Sequence, residues 1–467
     1  MLLSPRHARL RAEAGATFAL ALPLVAGQVL TIMMNVVDTM LAGRLGTRVL
    51  AAVAMGYQVW VLVILIVIGV MLSVPPSVAQ LDGAGRRDAV GALYRQSLWL
   101  ALALGTLLLL GVRLGGAWLL ALARVAPEIV PDALEFLNAI AWGAPALALF
   151  FAAKGFSEGL LLTRPAMYFS ALALAILVPL AWALMYGRLG LPALGAQGAG
   201  IAHAAVLWIE ALAFMAYIGR RRHYAALQPY ARLDPPDPAA LGGLLRLGVP
   251  MGVSIFMEGS LFVATALLVG SLGEVPAAAH QIAINVASVA FMLPLGIAMA
   301  TTVRVGNAVG RRDAEGVAWA VRAALLLVLA TQAVSLLLML CFGRPIARAY
   351  TDDEAVIGMA TALLLLAGVF QLPDGIQALY NGALRGLKDT LLPAIITTLA
   401  YWGVGLAGGV WIGLLRDGGP QGFWVGLILG LSAAALLLGW RYTRLSRRLR
   451  TNGIPEDLAE AARAEPI

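Results

Sequence analysis

Long uninterrupted runs of apolar residues, separated by short polar connections, make up most of this chain of 467 residues. A run of about 20 apolar residues is long enough for one helix to cross the hydrocarbon core of a bilayer. The runs are continuous and lack the alternation typical of barrel strands, so we expect helices. The pattern predicts twelve spans, at about residues 15–43, 47–78, 91–112, 133–160, 165–186, 196–218, 244–272, 277–309, 317–341, 358–384, 391–414 and 422–441.

Composition and charge agree with an all-α integral membrane protein. The chain is 61% hydrophobic and 12% charged, with a mean hydropathy of +0.86, whereas soluble domains carry about 25% charged residues. Most of the 33 Lys and Arg residues fall at one set of span ends. The positive-inside rule then predicts a multi-pass membrane protein with both termini cytoplasmic. No signal-peptide cleavage site is evident, so the first span is expected to stay.

The net charge of +8 does not point to nucleic acid, because no soluble basic domain carries it. The expected surroundings are the lipid bilayer, and the chain is expected to be a monomer. The single cysteine, Cys341, offers neither a disulfide nor a metal site.

Two similar halves are indicated by repeated spacings. Pro23 is followed by glycines at offsets of 20 and 23 residues, and so is Pro250. The sequence GRRDA occurs at 85–89 and again at 310–314, as a basic turn before a helix. A parallel repeat of two six-helix halves is common among alternating-access transporters. We predict an N-terminal lobe at 1–219, a cytoplasmic linker at 220–240, a C-terminal lobe at 241–441 and a tail at 442–467.

Three carboxylates, Asp38, Glu258 and Asp374, lie inside apolar runs. A charge left in hydrocarbon costs roughly 2.5–3.5 kcal/mol or more, so such residues are functional candidates by default. Asp374 directly follows Pro373, which removes an amide and frees the carbonyl of Val369. Carboxylate and carbonyl oxygens suit a small cation, so Glu258 and Asp374 form a candidate Na⁺ site.

Other polar residues share helix faces with these carboxylates and are candidates for lining a substrate cavity. They are Gln28, Thr31 and Asn35 near Asp38, Ser254 near Glu258, Gln281 and Asn285 in the eighth span, and Gln371 and Asn381 near Asp374. Asp38 lies near the outer end of its helix, where solvation is an alternative to a functional role.

The remaining intramembrane polar residues favour structural roles. Lys154 and Glu158 are spaced for an ion pair at i, i+4, with transport as the open alternative. Glu210 is expected to have a partner on a neighbouring helix. His203 and His280 are interpreted as packed residues, and a membrane enzyme using either of them is a minor alternative. No catalytic residue is predicted.

Four segments, taken together, resemble the NorM-like bacterial branch of the multidrug and toxin extrusion (MATE) family. They are PLVAGQVLTIMMNVVDTMLAGRLG (23–46), EGLLLTRPAM (158–167), AAAHQIAINVASVAFMLPLGIAMATTVRVGNAVGRRDAEGV (277–317) and QLPDGIQALYNGALRGLKDT (371–390). The resemblance runs from about residue 15 to 440. It departs from the family in the fifth span, where Leu177, Pro179 and Ala181 leave the neighbourhood of Asp38 apolar.

The resemblance implies two six-helix lobes forming a V-shaped cleft, and export of organic cations in exchange for Na⁺ or H⁺. It implies that Glu258 and Asp374 couple the cation in the second lobe and that Asp38 serves transport in the first. No cofactor besides the coupling ion is expected. The alternative within transporters is a flippase for lipid-linked oligosaccharides. Such a protein usually needs a cationic cavity, whereas the carboxylates here predict cationic cargo.

Overall fold

The computed structural model describes residues 5–123, 125–232 and 234–454, and this part of the chain is helical and contains no strand. Twelve of its helices are long and apolar enough to cross a membrane, one for each predicted span. The prediction of twelve spans is therefore confirmed. We number the helices α1 (Arg6–Leu45), α2 (Thr47–Gly83), α3 (Arg87–Leu122), α4 (Val130–Gly159), α5 (Arg164–Tyr186), α6 (Gly195–Arg220), α7 (Pro238–Gly270), α8 (Glu274–Gly310), α9 (Ala314–Arg348), α10 (Glu354–Gly386), α11 (Leu391–Leu415) and α12 (Gly419–Asn452).

Three of these helices contain local breaks in their hydrogen-bond pattern. Helix α2 is interrupted before Val74–Gly83, a segment with proline in its first turn, where a missing amide costs least. Helix α4 contains a 3₁₀ turn at Ala141–Gly143. Helix α11 is π-helical over Leu399–Leu406 and Trp411–Leu415. Single π turns alter the direction of the side chains that follow, and they occur often at functional sites.

The chain forms two compact units whose boundaries fall inside helices. Among the described residues, an N-terminal unit contains Ala26–Gly252, and a C-terminal unit contains residues 5–25 together with residues 253–454. Helices α1 and α7 are thus each divided between the two units. The predicted boundary at 220–240 instead runs from the end of α6 to the start of α7. Packing explains the assignment of the first half of α1, because Ala21 and Leu24 belong to a core cluster with Ile297.

An ion pair also links the first half of α1 to α8 in the C-terminal unit. The guanidinium of Arg304 in α8 donates to the carboxylate and the carbonyl oxygen of Glu13 and to the hydroxyl of Thr17. Both charged side chains are largely buried. The arginine therefore has a carboxylate partner inside the unit.

The predicted linker is packed against the N-terminal unit. Arg95 of α3 pairs with Asp234 at 2.6 Å, and the Gln96 amide donates to the carbonyl oxygen of Pro235 at 2.8 Å. Tyr224 is buried, its hydroxyl lies 2.8 Å from that of Ser157, and burial raises its pKa to about 12. These contacts satisfy linker polar groups on both backbone and side chains, so the segment is held in place.

The two GRRDA sequences form turns before helices, as predicted. The first lies between α2 and α3, where Gly85 has a φ of 73°, and the second lies between α8 and α9, where Arg312 has a φ of 58°. Asp313 caps α9 by accepting a hydrogen bond from the Gly316 amide at 2.7 Å. Of the predicted tail, residues 455–467 lie outside the described residues.

Candidate functional site

Glu258 and Asp374 are brought together inside the C-terminal unit. Glu258 comes from α7 and is half-buried, and Asp374 comes from α10 and is only 3% exposed. The two carboxylates are close enough to interact electrostatically. Like charges in a medium of low dielectric constant repel strongly, so this pair is a site where a proton or a cation is favoured.

Two residues that sequence reasoning missed complete the cluster. Arg385 of α10 interacts electrostatically with Glu258. Tyr401 is fully buried in the π-helical part of α11 and interacts with both carboxylates, and its hydroxyl has no hydrogen-bond partner among the described residues. The offset of 11 residues between Asp374 and Arg385 places them on one helix face and could have revealed the arginine. No such signal exists for Tyr401.

The charges of this cluster do not balance. Two carboxylates face one guanidinium, and Asp374 accepts a further hydrogen bond from the neutral Gln377 amide at 3.4 Å. With both carboxylates ionised, the cluster carries one excess negative charge in a buried setting, which is costly unless a cation binds. The described residues contain no group of three His, Cys, Asp or Glu that could hold a metal ion. The oxygen atoms that the cluster offers belong to two carboxylates and one hydroxyl, and carboxylate oxygens suit a proton or a small hard cation.

Gln371 is not brought to the carboxylates. Its side-chain amide donates to the Ala287 carbonyl oxygen in α8 at 2.8 Å, and its side-chain oxygen accepts from Gln332 in α9 at 2.8 Å. Gln332 also donates to the backbone oxygen of Gln371 at 2.7 Å. All of this polar surface is buried, so Gln371 joins three helices. Helix α10 continues through Pro373 without a break.

The other cavity candidates of the C-terminal unit lie in different environments. The Ser254 hydroxyl is buried and lies 2.9 Å from that of Thr397. Gln281 and Asn285 are exposed on α8, with 3.0 Å between the Gln281 amide nitrogen and the Asn285 side-chain oxygen. Asn381 is half-buried next to the arginine of the cluster. Gln281 and Asn285 thus present a polar stripe on an accessible helix face.

Asp38 in the N-terminal unit is fully buried rather than solvated. Its Oδ2 lies 2.9 Å from Nδ1 of His203 in α6, and its Oδ1 has no hydrogen-bond partner among the described residues. The Tyr57 ring packs edge-on against His203, with 6.1 Å between ring centroids. The fifth span is apolar at the positions discussed above, and the polar partner of Asp38 therefore comes from the sixth span.

Gln28, Thr31 and Asn35, the other candidates in the first span, form no hydrogen bond with Asp38 among the described residues. Gln28 is half-buried, and the exposed Thr31 returns its hydroxyl hydrogen bond to the Gly27 carbonyl at 3.0 Å. The Asn35 side-chain oxygen accepts from Thr39 at 3.4 Å. Threonine in an apolar helix commonly satisfies itself on its own backbone in this way.

The remaining intramembrane charges of the N-terminal unit have partners there. Lys154 and Glu158 form the predicted ion pair, with 3.8 Å between Nζ and Oε1, and the predicted neighbouring-helix partner of Glu210 is Ser170 of α5 at 3.0 Å. Both predictions are confirmed. Glu210 also interacts electrostatically with Lys154 and His203, so these groups form a connected series with Asp38.

His280 packs in the C-terminal unit. It is buried and meets the Trp424 ring edge-on, with 5.8 Å between centroids. Its two ring nitrogens have no hydrogen-bond partner among the described residues. The packing interpretation of His280 is therefore confirmed, while His203 differs from it because it binds a carboxylate.

Known proteins match both halves of this chain. The MatE family model matches residues 23–183 and again 250–411. The probable multidrug resistance protein NorM of Xanthomonas campestris is 48% identical over 447 residues, which cover 96% of this chain and 97% of that protein. The multidrug resistance protein PmpM of Pseudomonas aeruginosa is 38% identical over 95% of this chain and 94% of its own.

Solved structures agree on the fold. The crystal structure of the eukaryotic MATE transporter AtDTX14 superposes with a TM-score of 0.83 at 19% identity, covering 95% of this chain and 99% of that one. Because the family model matches both halves and the bacterial relatives align over nearly the whole length, this multi-pass membrane protein belongs to the MatE family.

Proposed function

We propose that the protein is a multidrug efflux antiporter. It exports organic, mostly lipophilic cationic compounds in exchange for Na⁺ or H⁺ by alternating access. The proposal is supported by the family, by the names of relatives that are 38–48% identical, and by the anionic cluster in the C-terminal unit. The setting is a bacterial plasma membrane with both termini in the cytoplasm, and the working unit is a monomer that catalyses no chemical reaction.

The observation that carries the coupling mechanism is the excess negative charge of the Glu258, Asp374 and Arg385 cluster. Binding of Na⁺ or H⁺ would neutralise this excess, and we propose that the Tyr401 hydroxyl adds an oxygen ligand. An organic cation is attracted by the same charge. Two ligands that compete for one charge and favour different conformations are sufficient for exchange, because a ligand shifts only the states that it binds differently.

Cationic cargo also distinguishes this proposal from the flippase alternative. A lipid-linked oligosaccharide carries a pyrophosphate, and the buried cluster of the C-terminal unit is anionic rather than cationic. Pyrophosphate would add repulsion to a site that already has one uncompensated negative charge. The flippase alternative is therefore not favoured.

Ethidium efflux from proteoliposomes tests the proposal. One set of vesicles receives a Na⁺ gradient at equal pH, and a second receives a pH gradient without Na⁺. We expect one gradient to drive efflux and Asp374→Asn to abolish it while the purified protein keeps its melting temperature. The matched control is Glu128→Gln, which removes an exposed carboxylate between α3 and α4. Full gradient-driven efflux by Asp374→Asn would overturn the coupling assignment, and absence of efflux from the unmodified chain under either gradient would overturn the function.

A further inference from the structure

A basic cavity lies in the C-terminal unit, where α1 and α9 begin and α12 ends. Its volume is about 550 Å³. It is lined by four arginines, one tryptophan, one alanine and one carboxylate: Arg6, Arg9, Arg322, Arg450, Trp319, Ala318 and Glu315. In the proposed topology these helix ends face the cytoplasm. The cavity is distinct from the carboxylate cluster, because the two have no residue in common and carry opposite charges.

The positive charge of the cavity is largely uncompensated. Arg9 approaches Glu315 at 3.4 Å, but the two side chains are 41% and 73% exposed, and exposed pairs of this kind hold their partners only weakly. Arg6, Arg322 and Arg450 have no carboxylate partner within 4.0 Å among the described residues. Four arginines against one glutamate leave an excess of three positive charges, which predicts an anionic ligand.

Aromatic contacts hold the arginines in place. The guanidinium carbons of Arg9 and Arg322 lie 5.3 Å and 5.5 Å from the Trp319 ring centroid. Such cation–π contacts restrict otherwise flexible side chains. Arg322 and Arg450 both interact electrostatically with the buried Tyr442. Aromatic side chains therefore lie near three of the four guanidiniums, whose planar forks suit phosphate oxygens.

An apolar stripe continues from the cavity along α9. Trp319, Arg322, Leu326 and Leu329 follow one another at spacings of three, four and three residues and so share a helix face. Leu326 is 50% exposed and Leu329 is 37% exposed. Tryptophan is enriched at the level of lipid headgroups. Along α9 this face therefore begins with an aromatic and a cationic residue, Trp319 and Arg322, and continues with two leucines, as a phospholipid continues from a headgroup to an acyl chain.

We propose that this cavity binds the phosphate of an anionic phospholipid, with an acyl chain along Leu326 and Leu329. Free phosphate satisfies the arginines but leaves the apolar stripe unused. A second competing anion is the chain's own C-terminal stretch, which includes Glu456, Asp457 and Glu460. The lipid accounts for both the charge and the adjoining apolar face.

Native mass spectrometry of the delipidated full chain in detergent tests the proposal. The protein is titrated with dioleoyl phosphatidylglycerol, with dioleoyl phosphatidylcholine, and with phosphatidylglycerol in the presence of equimolar inorganic phosphate. We expect phosphatidylglycerol to bind in preference to phosphatidylcholine and to resist displacement by phosphate. Removing two arginines with R322Q/R450Q should weaken the first bound phosphatidylglycerol roughly thirtyfold. Arg450→Gln alone, at the exposed end of α12, should weaken it about fivefold.

The matched control is R447Q/R448Q, which removes two exposed arginines from the same helix without altering the cavity lining. Its binding should stay within about twofold of the unmodified chain, since surface charge alone acts weakly at a distance. Unchanged binding by Arg450→Gln and R322Q/R450Q would overturn the proposal. Displacement by equimolar phosphate would assign the cavity to phosphate instead. Binding that appears only after removal of residues 455–467 would assign it to the acidic C-terminal stretch.

Discussion

The carboxylate of Asp38 lies 2.9 Å from the Nδ1 atom of His203, and both side chains are buried in the N-terminal unit. The hydrogen bond joins the first and sixth membrane helices. It is the main polar support of Asp38, because the second carboxylate oxygen has no hydrogen-bond partner among the described residues. The partnership gives Asp38 a structural role alongside any role in transport.

Removal of the imidazole should therefore destabilise the protein through the charge it leaves behind. We expect His203→Ala to lower the free energy of unfolding by about 3–5 kcal/mol, the range for breaking one side of a buried pair. Asp38→Asn should cost less, since it removes the charge. In a double-mutant cycle measured by denaturation in mixed detergent micelles, the double variant should be more stable than the sum predicts. Strict additivity would show that the contact contributes no coupling energy.

Gln371 should act on stability rather than on substrate recognition. Gln371→Leu removes the hydrogen bonds to Ala287 and Gln332 and leaves buried polar atoms unsatisfied, at a cost of about 1–3 kcal/mol. The same substitution at the exposed Gln281 should change stability by less than about 0.5 kcal/mol. Thermal denaturation of the two variants in detergent provides the comparison. Equal stability of the two variants would contradict the assignment of Gln371 as a helix-joining residue.

Tyr401→Phe separates a role in ion binding from a role in folding. The hydroxyl has no hydrogen-bond partner among the described residues, so its removal should leave the melting temperature in the absence of the coupling ion unchanged or higher. If the hydroxyl ligates the coupling ion, the ion concentration for half-maximal efflux should rise roughly tenfold. An unaltered ion dependence in proteoliposomes would exclude Tyr401 from the ion site.

Gly105 and Gly111 in α3 should respond in opposite directions to one added methyl group. A Cβ at Gly105 would lie 2.9 Å from the Ala144 carbonyl oxygen of α4, whereas a Cβ at Gly111 would meet nothing within 4 Å. Overpacking should make Gly105→Ala less stable by about 1–3 kcal/mol. Gly111→Ala should raise stability by up to about 1 kcal/mol through helix propensity. Unfolding free energies of the two variants provide the measurement, and destabilisation of both would show that the close approach of α3 and α4 is not the cause.

Lys388, in the turn between α10 and α11, should make stability depend on pH. Burial lowers its pKa to about 8, below the value of about 10.4 for an unfolded chain. Between these values the unfolded chain binds more protons, so stability rises with pH through this window. Lys388→Met should therefore melt a few degrees higher than the unmodified chain at about pH 7, and the difference should vanish by about pH 10.5.

Arg312→Met is a matched control for Lys388→Met, because Arg312 occupies the corresponding turn between α8 and α9. The two residues have φ values of 58° and 57°, and Arg312 is exposed. Its substitution should produce no pH-dependent difference in melting temperature over the same range. A pH-independent gain in stability from Lys388→Met would indicate that an apolar contact, and not loss of the buried charge, is responsible.

The twelve spans and the two-half repeat could be predicted along the chain, and so could the choice of Glu258 and Asp374 as candidate residues. Each depends on local properties: the length of apolar runs, the spacing of prolines and glycines, and the cost of a charge in hydrocarbon. The family resemblance was carried by contiguous segments, and the MatE match to both halves confirms it. The ion pair of Lys154 with Glu158 could be predicted for the same reason, because its residues are one helical turn apart.

Partners from distant helices could not be predicted in this way. His203 is 165 residues from Asp38, and Tyr401 reaches the carboxylates from a π-helical segment whose geometry the sequence pattern did not reveal. Gln371 shares a face with Asp374 by spacing, yet its hydrogen bonds go to two other helices. The sequence by itself determined which residues are costly to bury, since that cost depends on the side chain and its apolar neighbours. Only the tertiary structure decided which groups offset the cost, because pairing depends on how separate helices pack.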